Sequence, residues 1–583
     1  MLQERRGHNT CSQIKGWELM DDVYSSKPWL KSYDKHVPST ITDYPQMSCA
    51  EAMREAFDGV PDRMALNYMG TSISFREFDT YSSQFAHFLI SQGCRPGDVV
   101  GVHLLNVPAS FFAAIGIQKV GCVFTGISIL LTAEELEYQL NDSGAKILLT
   151  FDFNFETVKK AVVKTKVKTV VVVFIADFLP YIKKTLGTLL KKIPTGDVHS
   201  LPNIEVVCFL KAIEGRPKDL VNVKVKPDDP CLMMYTGGTT GPPKGAVLTQ
   251  ANVVCHMKQM RTWTGFNNIG EHTIASAFPL FHQAGNFLSL WAIAMGASAI
   301  LLTNPRDLKF MCKAMKKLKP TALINVPTLY LELMKMPEFK ALDFSGFQFF
   351  VSGASPFPAE SILDFEKIVG QGKVMEVYGM TETTPLITAN PMRGLKKVGS
   401  VGIPMVGTEV RLVDPSTGEP VPMGQPGEIV VKGPQVFKGY HNKPEENANS
   451  FRNGWFHTGD IAEMDKDGYF FIVDRLKDMV SVSGFKVFTR VVDDILMEHP
   501  DIDMAATIGI PDQKRPGSEI VASAIKLKLG IDKSDAERQK LVEYMKERVA
   551  PYKVPKVMEF MDELPLSAVG KILKRELRNI MIK

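Results

Sequence analysis

Signatures of several large functional classes are missing from this 583-residue chain. Its eight cysteines lie scattered at 11, 49, 94, 122, 208, 231, 255 and 312, and none forms a C-x-x-C pair. Thiols so dispersed in a long chain read as small buried apolar residues of a reducing compartment, not as disulfide staples or zinc ligands. No G-x-S-x-G elbow and no G-x-G-x-x-G turn occurs, so neither an α/β-hydrolase nor a dinucleotide-binding dehydrogenase is read. The formal net charge is only +4, which does not suggest nucleic acid, since that partner demands Lys and Arg gathered on one face. The first 30 residues mix charges with Gly16 and Pro28 and lack an apolar core, so no signal peptide is expected and the reading is cytoplasmic. Long apolar runs are scarce too. The stretch 284–302 carries no charge, but Asn286 and Ser289 interrupt it and Gly296 divides it. A buried helix, turn and strand is predicted there instead of a membrane span.

What remains is an ordinary globular composition, 45% hydrophobic and 23% charged, in a chain too long for one hydrophobic core. Between about 60 and 350, apolar runs such as 98–105, 146–151, 168–174 and 204–210 alternate with amphipathic segments. That alternation predicts βαβ units, buried and largely parallel sheets, and hence an α/β class. From 399 to about 473 short strands punctuated by Gly and Pro predict an antiparallel or barrel-like subdomain. After Asp474 a compact α+β pattern follows. The expected division is a large domain over 1–473, with a leader over 1–45, and a small one over 474–583. In 178–194, Leu179, Ile182, Leu186, Leu189, Leu190 and Ile193 share one helical sector, and Lys183, Lys184, Lys191 and Lys192 lie opposite. This fits either a helix resting on the inner membrane surface or one packed on its own domain with solvated lysines.

The sharpest local signal is 235–249, YTGGTTGPPKGAVLT. Gly237, Gly238 and Gly241 let backbone N–H groups approach an anion, and the hydroxyls of Thr236, Thr239 and Thr240 add donors. Lys244 supplies a point charge for β and γ phosphates. It is not a Walker loop, because Gly245 follows the lysine. The segment resembles the phosphate-binding signature of the acyl-adenylate-forming superfamily. Similar motifs follow in that family's order: PLFHQAGN (279–286), NVPTLY (325–330), SGASPFP (352–358), VYGMTETTP (377–385), GEIVVKGPQVFKGY (427–440), WFHTGD (455–460), VDRLKDMVSVSGFKV (473–487) and PLSAVGKILKREL (565–577). LLTNPRDL (301–308) and LNDSGA (140–145) most resemble bacterial long-chain fatty-acid:CoA ligases.

This resemblance implies two parallel or mixed αβ sheets, a small β-barrel-like subdomain, and a mobile α+β C-terminal domain with a hinge near Lys477. It implies ATP, Mg²⁺ and CoA, and a fatty or other organic acid activated as its adenylate before transfer to the thiol. A carboxylate is a poor electrophile and repels the triphosphate, so both must be neutralised and aligned. By the same resemblance, Val377, Tyr378 and Gly379 with Ala354 form the adenine pocket, Thr381 bonds the α-phosphate and Glu382 holds Mg²⁺. Asp460 accepts from the ribose hydroxyls, Arg475 reaches ribose or phosphate, and Lys571 bridges the acyl carboxylate and the α-phosphate. After the domain turns, Ser483, Gly484 and Phe485 face the adenylate and help form the thiol tunnel. His282 orients the acid, gates the pantetheine arm, or is a satisfied core histidine.

Two departures stand out. After SGFKV the family commonly continues Tyr-Pro-x-Glu, whereas Phe488-Thr489-Arg490-Val491-Val492-Asp493 lacks the proline and the first acid, which puts CoA contacts there in question. Ala354 stands where many relatives carry glycine. Medium-chain, alicyclic or aromatic acids, a carrier-protein-loading acyl-AMP ligase and a homodimer stay open at this level; a luciferase-type oxidation is a weaker variant, and retention of Lys571, Asp460, Glu382 and Lys244 together argues against a non-catalytic scaffold.

Overall fold

Runs of β-branched residues become the interiors of buried sheets, as in Thr169–Val173 (TVVVV), where every position is buried. A computed structural model describes residues 23–190, 193–221, 223–237, 242–482, 485–515, 518–567 and 571–582. The four apolar runs singled out above form neighbouring parallel strands, with Val99–His103, Ile147–Phe151, Thr169–Val173 and Glu205–Cys208 side by side. They belong to an eight-stranded sheet that continues through Val123–Gly126, Pro230–Thr236, Lys244–Thr249 and Gly439–Tyr440. Pro230–Thr236 and Lys244–Thr249 pair antiparallel, so the glycine- and threonine-rich segment is the connection of a hairpin at the sheet's end.

A nine-stranded sheet carries the other half of the large domain, in the order Ile403–Pro404, Thr388–Ala389, Val374–Tyr378, Phe349–Ser352, Ala322–Asn325, Thr273–Ser276, Ser298–Leu301, Met64–Tyr68 and Thr71–Ser74. The uncharged stretch 284–302 folds as expected: helix Gln283–Ala294, a turn at Gly296 with φ +63°, then strand Ser298–Leu301. Among the described residues no helix is long and apolar enough to cross a membrane. Seven described cysteines are free, and all but Cys208 are buried.

The β-rich region differs in one respect from the sequence expectation. Glu409–Val413, Gly427–Lys432, Trp455–Met464, Phe451–Arg452 and Phe470–Arg475 form a five-stranded antiparallel sheet. Ile403–Pro404 and Gly439–Tyr440, however, leave it to pair with the nine- and eight-stranded sheets, so this region stitches both halves together. Beyond it, the hairpin strands Val480–Val482 and Phe485–Val487 and the three-stranded sheet Ile502–Pro511, Glu519–Leu527, Val557–Phe560 enclose cores of their own around Val492, Leu541, Met545 and Leu577. Helices Thr489–Met497, Asp535–Lys546 and Lys574–Met581 complete this smaller unit.

The segment 178–194 divides between its two readings. Leu179 and Ile193 pack on the main core, and Lys183 Nζ donates to the Met69 carbonyl at 2.8 Å. Ile182 and Leu190 instead stand 71% and 58% exposed. Lys191 and Lys192 lie outside the described residues.

Gly402 shows how closely the β-rich region is applied to the nine-stranded sheet: its φ is +89°, and a Cβ there would lie 2.0 Å from the Ala389 carbonyl carbon. Gly402→Ala should therefore cost about 3 kcal/mol or more and lower the calorimetric Tm. An unchanged Tm would contradict this packing.

Candidate active site

The C-terminal end of one strand of the nine-stranded sheet delivers an aromatic ring and an acid to one place. Strand Val374–Tyr378 ends at Tyr378, and Gly379 lets the chain turn at once. A Cβ on Gly379 would lie 1.9 Å from the Pro385 carbonyl oxygen, so no other residue fits the path. The short 3-10 turn Thr381–Thr383 follows and buries Glu382. On the neighbouring strand end, Ala354 adopts φ +68°, a left-handed conformation that glycine would take without steric cost.

Asp460 and Arg475 face each other across two antiparallel strands, with Arg475 Nε 3.1 Å from Asp460 Oδ1. The Tyr378 hydroxyl donates to Asp460 Oδ2 at 2.7 Å. Each carboxylate oxygen keeps a second lone pair for a further donor. Asp460 holds the Arg475 guanidinium above its ordinary range, while burial and then Asp460 push the Tyr378 phenol well up.

Glu382 accepts from the Tyr440 hydroxyl at 2.7 Å, and burial, the largest influence on it, raises its carboxyl pKa. A buried carboxylate of this kind fits a hard divalent cation, which would compensate its desolvation. The Tyr440 ring also lies 5.0 Å beneath Lys244 Nζ. Lys244 itself is held by Glu446 Oε2 at 2.5 Å, and that bond lowers the Glu446 pKa. Thr236 and Gly237 lead into the loop, while Gly238, Thr239, Thr240 and Gly241 lie outside the described residues.

Lys571 comes from the small unit. Its backbone N–H donates to Ser567 Oγ at 3.1 Å, and its carbonyl accepts from Ser567 N at 2.8 Å. Burial first, then Arg475, lowers its ammonium to about 8, with Asp460 and Asp478 acting in the opposite direction. Lys571 also helps burial hold His282 down at about 4, so the two side chains lie within electrostatic range. His282 caps helix Gln283–Ala294 through Nδ1, which accepts from Ala284 N at 3.3 Å. The neutral ring therefore carries its proton on Nε2.

Several of the expected residues are thus linked: Tyr378, Asp460 and Arg475 touch directly, Gly379 begins the turn to Glu382, and Glu382, Lys571 and His282 lie within electrostatic reach of members of this group. Lys477 acts electrostatically on Glu446 at its edge. Phe485 stands apart, stacked on Tyr552 with centroids 4.9 Å apart, and Ser483 and Gly484 lie outside the described residues. Sequence reasoning gave no role to Tyr440, Glu446 or Asp478. Tyr440 closes the quoted GEIVVKGPQVFKGY motif and was within reach. Glu446 left no local signal.

Gly379→Ala must displace the turn that carries Thr381 and Glu382. A loss of at least about tenfold in ATP affinity, or ~1.4 kcal/mol, is expected by nucleotide titration.

Residues 53–441 match the family described as AMP-binding enzyme, and residues 491–571 match its C-terminal domain. The chain is 36% identical to a long-chain-fatty-acid--CoA ligase of Escherichia coli O6:H1, over 95% of this chain and 98% of that one. It is 34% identical to a feruloyl-CoA synthase of Amycolatopsis, over 89% and 96% respectively. The crystal structure of ATP-bound MatB from Rhodopseudomonas palustris superposes with a TM-score of 0.76 at 27% identity, covering 92% of this chain and 99% of that one. With matches of this length on a fold and cleft of this form, the chain belongs to the AMP-binding enzyme family.

Proposed function

We propose that this protein is an AMP-forming acid:CoA ligase, converting a carboxylic acid, ATP and CoA to acyl-CoA, AMP and pyrophosphate through an acyl-adenylate. The observation that carries the reading is Lys571 of the small unit lying among Arg475, Asp460 and His282 of the large one. An ammonium so desolvated and so close to a guanidinium is poised for anions, and an acid carboxylate beside an α-phosphate supplies them. Tyr378 stacks on adenine, Asp460 accepts from the ribose hydroxyls, and Thr381 bonds the α-phosphate. Bound Mg²⁺, held through Glu382, supplies charge neutralisation for the triphosphate. Neutral His282 presents Nε2–H toward the acid's entrance. A carboxylate oxygen attacks the α-phosphorus and pyrophosphate leaves. The small domain then turns about a hinge near Lys477, leaving strand Phe470–Arg475 with the large one, and the CoA thiolate attacks the acyl carbonyl, releasing AMP.

A long-chain fatty acid is the best-supported substrate, given the E. coli relative. Each methylene buried in an apolar tunnel could contribute ~0.8 kcal/mol. An aromatic acid is the second reading, favoured by the feruloyl-CoA synthase relative. Exposed Ile182 and Leu190 near Lys183 support peripheral contact with an anionic membrane surface.

An acid panel of linear fatty acids and aromatic acids, with ATP, Mg²⁺ and CoA, should release AMP fastest with a long-chain member. Lys571→Ala should abolish acyl-AMP formation while ATP binding survives. Acyl-AMP formed at the parent rate would sink the role given to that lysine.

The Lys571 pKa sets a pH limb. Its folded value, about 8, lies below the ordinary lysine value of 10.5, so the required ammonium is present below about pH 8 and is lost above it. The kcat/KM of adenylation, which reports the free enzyme, should fall about tenfold per pH unit there. The kcat limb should sit higher, because bound triphosphate holds the proton. Pyrophosphate exchange across pH 6 to 10 measures both, and a flat kcat/KM through pH 9 contradicts the assignment.

A further inference from the structure

A buried polar cluster beside the hinge is not used by the chemistry above. Thr489 begins helix Thr489–Met497, where the family commonly has proline. Its backbone N–H donates to Asp474 Oδ2 in a short bond, and its hydroxyl donates to Asp474 Oδ1 at 3.1 Å. The same hydroxyl oxygen accepts from Lys574 Nζ at 2.8 Å, and Lys574 Nζ also reaches Asp493 Oδ2 at 3.1 Å. Thr489 is 0% exposed and Asp474 4%. Proline at 489 would have no N–H to give, so the bond to Asp474 exists because this chain departs from the family's usual residue.

The cluster's place in the chain gives it mechanical meaning. Asp474 precedes Arg475, the partner of Asp460. Lys574 follows Lys571 by three residues and starts helix Lys574–Met581. With a hinge near Lys477, Asp474 moves with the large domain, whereas Thr489, Asp493 and Lys574 move with the small one. The Asp474–Thr489 bonds therefore cross the hinge. Burial works against the Lys574 charge, but Asp493, Asp474 and Asp478 together hold its pKa above the ordinary value. Lys574, its side chain 20% exposed, keeps Thr489 and Asp493 as partners within the small domain and so fixes the Thr489 hydroxyl toward Asp474.

We propose that Thr489 and Lys574 are positioning residues of the adenylation arrangement. With Asp474 and Asp493 they lock the small domain so that Lys571 stays over the nucleotide site, and the Asp474–Thr489 bonds part when the domain turns for thioester formation. The inference rests on the adenylation role of Lys571 and on the hinge near Lys477.

The two half-reactions, assayed separately on the full chain, test it. Thr489→Val and Lys574→Met should each slow pyrophosphate exchange about tenfold or more in kcat, the loss expected for a hydrogen bond to a charged group, with the KM for ATP little changed. Thioester formation from supplied acyl-adenylate and CoA should be unaffected, and Lys574→Arg, which keeps the charge and the donors, should recover most of the exchange rate. Equal losses in both half-reactions, or full exchange activity in Thr489→Val and Lys574→Met, would overturn the lock. Lys571→Ala run alongside separates the two readings: if it too retains exchange, the functional reading itself has failed, and if it alone abolishes exchange, only the lock has.

Discussion

Two cations around one carboxylate set the terms for the cleft. Lys571 and Arg475 both feel Asp460: the carboxylate holds the guanidinium above its ordinary range, while burial and Arg475 push the Lys571 ammonium down. Of the two cations, only the Lys571 ammonium is disfavoured by its surroundings. Asp478 supplies part of the compensation. On the role proposed for Lys571, the bound acid and nucleotide supply the remainder, which is how a preorganised electrostatic site differs from a stabilising salt bridge.

Holding these groups in register requires three sheets to meet. The nine-stranded sheet fixes Tyr378 and the Glu382 turn, the antiparallel sheet fixes Asp460 and Arg475, and the eight-stranded sheet fixes Lys244. The short strands Ile403–Pro404 and Gly439–Tyr440 tie the sheets to one another, and Tyr440 lies between Lys244 and Glu382. Lys571 alone arrives from a unit with its own cores.

The sequence disclosed what is repeated or locally patterned. The valine-rich runs read as parallel strands because burial on both faces requires unbroken apolar residues, and Gly296 split 284–302 because a left-handed turn selects glycine. The two-residue strands escaped notice, since two residues carry no period. The pairings Lys244–Glu446 and Tyr440–Glu382 join positions 202 and 58 residues apart, and no local rule connects them. Thr489 could be seen as a departure from the family's residue, yet its purpose became visible only beside Asp474 and Lys574.

The pairing of Lys244 with Glu446 has a consequence for turnover. The Lys244 ammonium already has a resident anion at 2.5 Å, so under the phosphate-binding role proposed for it, capture of nucleotide at this position is an ion exchange. A polyphosphate carries more negative charge than one carboxylate and can displace it, whereas a lone monophosphate competes on far less favourable terms.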